Sequence, residues 1–188
     1  MEAVFLVFLG AILMGALGYL KNRYFGFVGQ TATDYAEIGG EAFDLRSHLN
    51  GPIVCEGVIY GPTGRVTSRF VGDFHAEWNG NVGVMNERFT YDNGDEVLRE
   101  WNLTLGNDGR IRATAADVIG EGTGIQSGST VQLKYKFKLP DAQGGHVLDT
   151  TDWMYLAPNG TIVNRSQFRK FGIKVAELVA TIRRKEPA

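Results

Sequence analysis

From residue 131 to residue 139 every second position is apolar, with Val131, Leu133, Tyr135, Phe137 and Leu139 alternating with Gln132, Lys134, Lys136 and Lys138. A helix would spread those lysines around its whole circumference, so the segment is a strand with one dry face and one wet face. Pro140, Asp141, Gly144 and Gly145 break it, and a second extended run from 146 to 155 returns alongside it as a hairpin. That second arm mixes Asp149 and Asp152 with Trp153 and Tyr155, so whichever face points inward carries aromatics or an acid. This is the first sign of a lined cavity.

The same period of two governs most of the chain after residue 53. Val66, Ser68, Phe70, Gly72, Phe74, Ala76 and Trp78 share one phase, against Arg65, Thr67, Arg69, Asp73, His75 and Glu77 on the other. Turn chemistry separates the runs: Gly61-Pro62-Thr63-Gly64, Asn79-Gly80-Asn81, Asp92-Asn93-Gly94-Asp95, Gly106-Asn107-Asp108-Gly109 and Pro158-Asn159-Gly160. The 25 glycines fall singly or in pairs between apolar runs, as turn punctuation in an all-β protein requires. Residues 164–172 read as a strand or an irregular turn of helix, and 173–184 as a closing strand. The expectation is an all-β, antiparallel up-and-down barrel of roughly nine strands, closed because long strands joined by tight hairpins would otherwise leave two bare edges.

Ahead of this domain, residues 3–20 carry no charge and are strongly apolar, long enough to cross a bilayer. A secretory signal would want a basic start and a small-residue cleavage site, whereas Glu2 stands at the start and no Ala-x-Ala follows Leu20. The expected organisation is a transmembrane anchor at 3–20, a linker at 21–42 and a barrel domain at 43–185. Ala11, Gly15 and Gly18 fall on one helix face, where small residues let a second membrane helix approach. Lys21 and Arg23 after the apolar run favour a cytoplasmic soluble part by the positive-inside rule.

Nineteen basic residues against 21 acidic ones, a formal net charge of -2, give no support to nucleic-acid binding over the whole surface. A single cysteine, Cys55, excludes an intramolecular disulfide and sits in an apolar run that suits a buried residue. His48, His75 and His146 are isolated from one another, so no metal is expected. The chain has no Gly-x-Ser-x-Gly elbow and no phosphate loop. Gly120, Gly122 and Gly124 only superficially suggest a dinucleotide loop, because no helical pattern follows them. No cofactor and no enzymatic activity are expected; Asp149 or Asp152 as a general base is the remaining enzymatic alternative.

What remains is aromatic and ionic. Trp78, Arg99, Trp101, Tyr135, Asp152, Trp153, Tyr155 and Arg165 are the candidate ligand-binding residues. An Arg–Asp pair on barrel strands either plugs one end of the barrel or orients the polar head of an amphipathic ligand, with the aromatics as walls. The motifs Phe43-Asp44-Leu45-Arg46, Asn50-Gly51-Pro52, Gly57-Val58, Gly64-Arg65-Val66, Trp78-Asn79-Gly80, Asp117-Val118-Ile119-Gly120-Glu121, Asp152-Trp153-Met154-Tyr155 and Lys170-Phe171-Gly172 resemble those of DUF3833, an uncharacterised bacterial family. The resemblance implies a lipocalin-like barrel over about residues 43–184, with no assigned reaction or catalytic residues. Many relatives look like lipoproteins with a periplasmic domain, whereas this chain lacks a lipobox cysteine. The whole-domain resemblance therefore outweighs two cationic residues, and a single-pass bacterial inner-membrane protein with a periplasmic barrel is expected. Its expected partners are the membrane and an apolar or amphipathic small molecule such as a lipid. The alternative is a structural accessory subunit docking on a larger integral membrane complex.

Overall fold

The computed structural model describes residues 1–185. Helix α1 (Glu2–Phe25) is followed by two 3₁₀ turns (Phe27–Gly29 and Ala32–Tyr35) and the short helix α2 (Leu45–His48). Ten strands then close on themselves: β1 (Gly51–Tyr60), β2 (Val66–Asn79), β3 (Val82–Tyr91), β4 (Glu96–Leu105), β5 (Arg110–Thr114), β6 (Gly122–Ser127), β7 (Thr130–Lys138), β8 (Val147–Leu156), β9 (Ile162–Lys170) and β10 (Ile173–Arg184). Every pairing is antiparallel between sequence neighbours, and β1 also pairs with β10, with Cys55 opposite Ile182. The up-and-down barrel is as the alternation requires.

The strand count is ten rather than nine. The ambiguous segment 164–172 is most of β9 and the turn after it. Its inward phase runs Ile162, Asn164, Ser166, Phe168, so two polar residues occupy positions where apolar ones would have announced a strand. They are inside because both donate to Asp152 there.

The inward phase of β2 behaves as the alternation demands, with Phe70, Phe74 and Ala76 buried and Arg69, Asp73 and His75 outside. One end of the barrel is plugged. Asp44 caps α2 by accepting from the Arg46 backbone N–H (3.0 Å), and Phe43, Leu45 and Leu49 are buried beneath it. The plug is fastened to the rim by several polar contacts. The Leu45 backbone N–H donates to Gln126 Oε1 (2.9 Å), Trp78 Nε1 donates to the Leu49 carbonyl (2.7 Å), and Arg46 Nη1 donates to Asn81 Oδ1 (2.9 Å). Arg184 also donates to the Ser47 carbonyl.

Residues 27–36 lie against the outer face of β6 to β9. Phe27 is buried under the Arg165 guanidinium (4.9 Å), Tyr35 packs on Trp153 (5.1 Å between ring centroids), and Ser127 Oγ donates to the Ala32 carbonyl (2.8 Å). Gly128 makes this approach feasible. Its φ is +53°, and a Cβ there would overlap the Tyr35 carbonyl oxygen. Gly128→Ala is expected to cost about 1–2 kcal/mol and to loosen residues 31–36. A lower urea midpoint together with faster proteolysis inside 27–36 is the expected result; an unchanged midpoint and cleavage pattern would refute the close packing.

Helix α1 has 24 residues, none of them buried, and a mean hydropathy of 2.3 in its most apolar window. It rises roughly 36 Å against a hydrocarbon layer about 30 Å thick. By length and composition it can cross a membrane, a property shared by an uncleaved anchor and a signal sequence.

Candidate functional site

The turn 92–95 between β3 and β4 sets a register in which Glu87 faces Arg99 and Met85 faces Trp101. These residues are in phase with Gly83 and Phe89, so all of them point into the barrel. Arg99 donates from Nε (2.8 Å) and Nη2 (2.5 Å) to a single Asp117 oxygen, on the segment leading into β6. Its guanidinium also lies over the rings of Trp101 (5.6 Å) and Phe137 (5.1 Å). Glu87 is 8% exposed. Its Oε2 is 3.9 Å from Arg99 Nη1, beyond hydrogen-bond reach, and has no hydrogen-bond partner among the described residues. Burial outweighs the attraction of Arg99, and the carboxyl is pushed up to about 7.

A second acid enters from the opposite wall. In the ladder β7–β8–β9, Leu133, Asp152 and Ser166 are in register. Asp152 accepts from Tyr135 OH (3.1 Å), Asn164 Nδ2 (3.2 Å) and Ser166 Oγ. Burial raises its carboxyl above the ordinary range against the pull of those three donors. Tyr135 meets Trp101 edge to face at 5.2 Å, joining the two groups. Between them is a cavity of about 110 Å³, with Phe70, Phe74, Phe89, Leu133 and Met154 in its walls and Leu45 and Leu49 of the plug at its base. The Cys55 thiol faces it too, held protonated by burial and the nearby acids.

Of the candidate residues, the fold brings Arg99, Trp101, Tyr135 and Asp152 to this cavity. Trp78 is in the inward phase but sits at the plugged end, bonded to Leu49. Trp153, Tyr155 and Arg165, also named as candidate ligand-binding residues, lie away from the cavity on the outer phase of β8 and β9, under residues 27–36. Asp152 takes the inward phase of β8, and Trp153, next to it, must point the other way. The outer face is dry at Trp153 because Tyr35 covers it, and beside it Gln30 accepts from Tyr155 OH (2.7 Å). Glu87, Asp117 and Ser166 complete the site without having been singled out by the alternation. A usable signal exists for Glu87: it is a carboxylate on the apolar phase of β3, and a hairpin across the 92–95 turn places it opposite an arginine.

The model of the family described as "Protein of unknown function (DUF3833)" matches residues 23–184. The chain belongs to the DUF3833 family. The motifs that carried the resemblance to DUF3833 have physical roles here: Phe43-Asp44-Leu45-Arg46 and Trp78-Asn79-Gly80 build and fasten the plug, and Asp117 pairs with Arg99. A search of the curated proteins finds no match. Among solved structures, this DUF3833 barrel is similar to the S-type phycobiliprotein lyase CPES from Guillardia theta. The TM-score is 0.56 at 9% identity, covering 77% of this chain and 92% of that one. It is also similar to Rv2717c from M. tuberculosis, with TM-score 0.55 and 13% identity over 74% of this chain and 94% of that one. At these identities the likeness concerns the fold, a lipocalin-like barrel.

Proposed function

We propose that this DUF3833 protein is a membrane-tethered barrel that takes an apolar or amphipathic small molecule into its interior and performs no reaction on it. The observation that carries this reading is the cavity, whose apolar wall ends on the Glu87, Arg99 and Asp152 groups. Apolar walls with a few convergent polar groups are how small-molecule sites combine affinity with orientation. The two acids are held rather than presented: Asp152 is committed to three donors, and Glu87 lies beside a guanidinium already paired with Asp117. Native mass spectrometry and solvent extraction of the full chain purified in mild detergent test the reading. A co-purifying small molecule is expected. No ligand, together with a crystal structure whose interior is filled by side chains, would sink it.

The tether is α1, and the barrel is proposed to be periplasmic. An alkaline phosphatase fused after Ala188, a residue outside the described ones, is expected to be active. An inactive fusion paired with a fluorescent cytoplasmic reporter at the same place would reverse the assignment. A second reading, a subunit docking on a membrane complex, is favoured by the exposure of α1 along its whole length, with nothing packed on Gly15 or Gly18. Its signature is a stoichiometric membrane partner in a mild-detergent pull-down, where the binding reading expects a lone protein carrying its ligand.

A further inference from the structure

We infer that the interior site selects ligands with a cationic amine, an ammonium head on a short apolar tail. The inference rests on the binding reading above and adds the chemistry of the head group. Among the described residues, the charged side chains lining the cavity are Glu87, Asp152 and Arg99. Arg99 is committed elsewhere, with two of its donors on Asp117 in the wall. Among the described residues the two acids lining the cavity therefore have no cation within hydrogen-bond distance, and Glu87 Oε2 has no hydrogen-bond partner. A buried acceptor in that condition is costly, and a charged donor that reaches it recovers a strong hydrogen bond.

An ammonium group supplies the hydrogen-bonding cation that Glu87 Oε2 does not get from Arg99 at 3.9 Å. It brings three donors, it is attracted to aromatic faces such as Trp101 and Phe89, and its alkyl chain suits the remaining walls. A carboxylate ligand would instead meet two acids and an arginine already in use. A cavity of about 110 Å³ is smaller than the roughly 150 Å³ that takes up one benzene, so it holds a head group and the first few carbons of a chain rather than a long lipid.

Protonation adds a second signature. Glu87 is faced by Arg99 from β4, Asp117 from the segment before β6, Asp152 from β8 and Cys55 from β1, with Tyr91 on its own strand and Tyr135 on β7. Burial drives Cys55, Tyr91 and Tyr135 further towards their neutral forms, which leaves Glu87 as the group that responds near neutrality, with Asp152 raised in the same direction. An ammonium pairs with the carboxylate form, so amine binding expels a proton from Glu87 and strengthens as pH rises from about 6 to about 8.

Calorimetric titration of the full chain in detergent with hexylamine, 1-hexanol and hexanoate, each blanked against empty detergent, separates the outcomes. Hexylamine is expected to bind at least about tenfold more tightly than hexanol at pH 8, with hexanoate weakest, and the margin is expected to shrink at pH 5.5. Glu87→Gln is expected to abolish that margin, so that amine and alcohol bind alike. Hexanol or hexanoate binding as well as hexylamine to the wild-type protein, or an undiminished margin in Glu87→Gln, overturns the amine inference and leaves the binding reading standing. Failure of all three probes overturns the amine inference, and the binding reading falls with it only if no small molecule co-purifies and the interior is filled by side chains.

Discussion

Glutamine in place of Glu87 is expected to make the protein more stable by about 3 kcal/mol at pH 8 but by only about 1 kcal/mol at pH 5. In the folded barrel the carboxyl titrates at about 7, against an ordinary 4.5. Between those values the folded state holds a proton that the unfolded chain has lost, so stability falls as pH rises through the window and levels off above it. About 2.5 units of difference at about 1.4 kcal/mol each sets the scale, and a neutral amide escapes that cost. Asp152, also raised by burial, acts in the same direction in both proteins. Asp44, Glu56 and Asp92 are lowered by their arginine partners and oppose it, losing stability on acidification. The contributions of Asp44, Glu56 and Asp92 cancel between wild type and variant, so the difference reports Glu87 together with its coupling to Asp152. Urea unfolding of both proteins at the two pH values measures it. An equal gain at both, or a loss at pH 8, would show that Glu87 is not a carboxyl buried at a cost.

Trp153→Ala is expected to cost about 3–5 kcal/mol, enough to lower the melting temperature by roughly 10 °C. Trp153 is 0% exposed although it is on the outer phase of its strand. What buries it is Tyr35 at 5.1 Å and the parallel ring of Tyr155 at 6.0 Å. Removing the indole leaves a void beneath residues 27–36 and takes away the surface they fold onto. The loss is therefore expected in two places: in global stability, and in hydrogen-exchange protection of 27–36 at temperatures where the barrel is still folded. Unchanged protection there would mean that this segment is held by something other than Trp153. The same variant leaves the cavity walls untouched, so ligand binding, once detected, is expected to survive it.

Much of the barrel was legible in advance because a strand with one wet face writes its orientation into every second residue. On β2, Phe70, Phe74 and Ala76 are inside and Arg69, Asp73 and His75 outside, as the alternation requires. The Asn79-Gly80 and Asp92 to Asp95 turns set hairpin registers that place Met85 opposite Trp101. Strands β8 and β9 were harder to orient because parts of their outer faces, at Trp153 and Gln167, are buried as well. Leu148, Asp152 and Met154 form one phase of β8 and Val147, Trp153 and Tyr155 the other, and nothing in that order says which side is the interior. On β9 the polar residues Asn164 and Ser166 are inside and the apolar Val163 is outside, the reverse of the usual rule.

From sequence alone came the all-β class, the antiparallel connectivity, the apolar helix at the start and four of the residues that meet at the cavity: Arg99, Trp101, Tyr135 and Asp152. These rest on local physics, since side-chain period, turn residues and hydropathy act over a few positions at a time. Tertiary structure alone decided that β1 closes on β10, that residues 27–36 roof Trp153, and that Arg99 bonds to Asp117 while Glu87 Oε2 is left without a hydrogen bond among the described residues. Each of those depends on which distant segments share a wall of the barrel. Closure sets that, because it brings β1 beside β10 and turns the acids of β3 and β8 towards one interior.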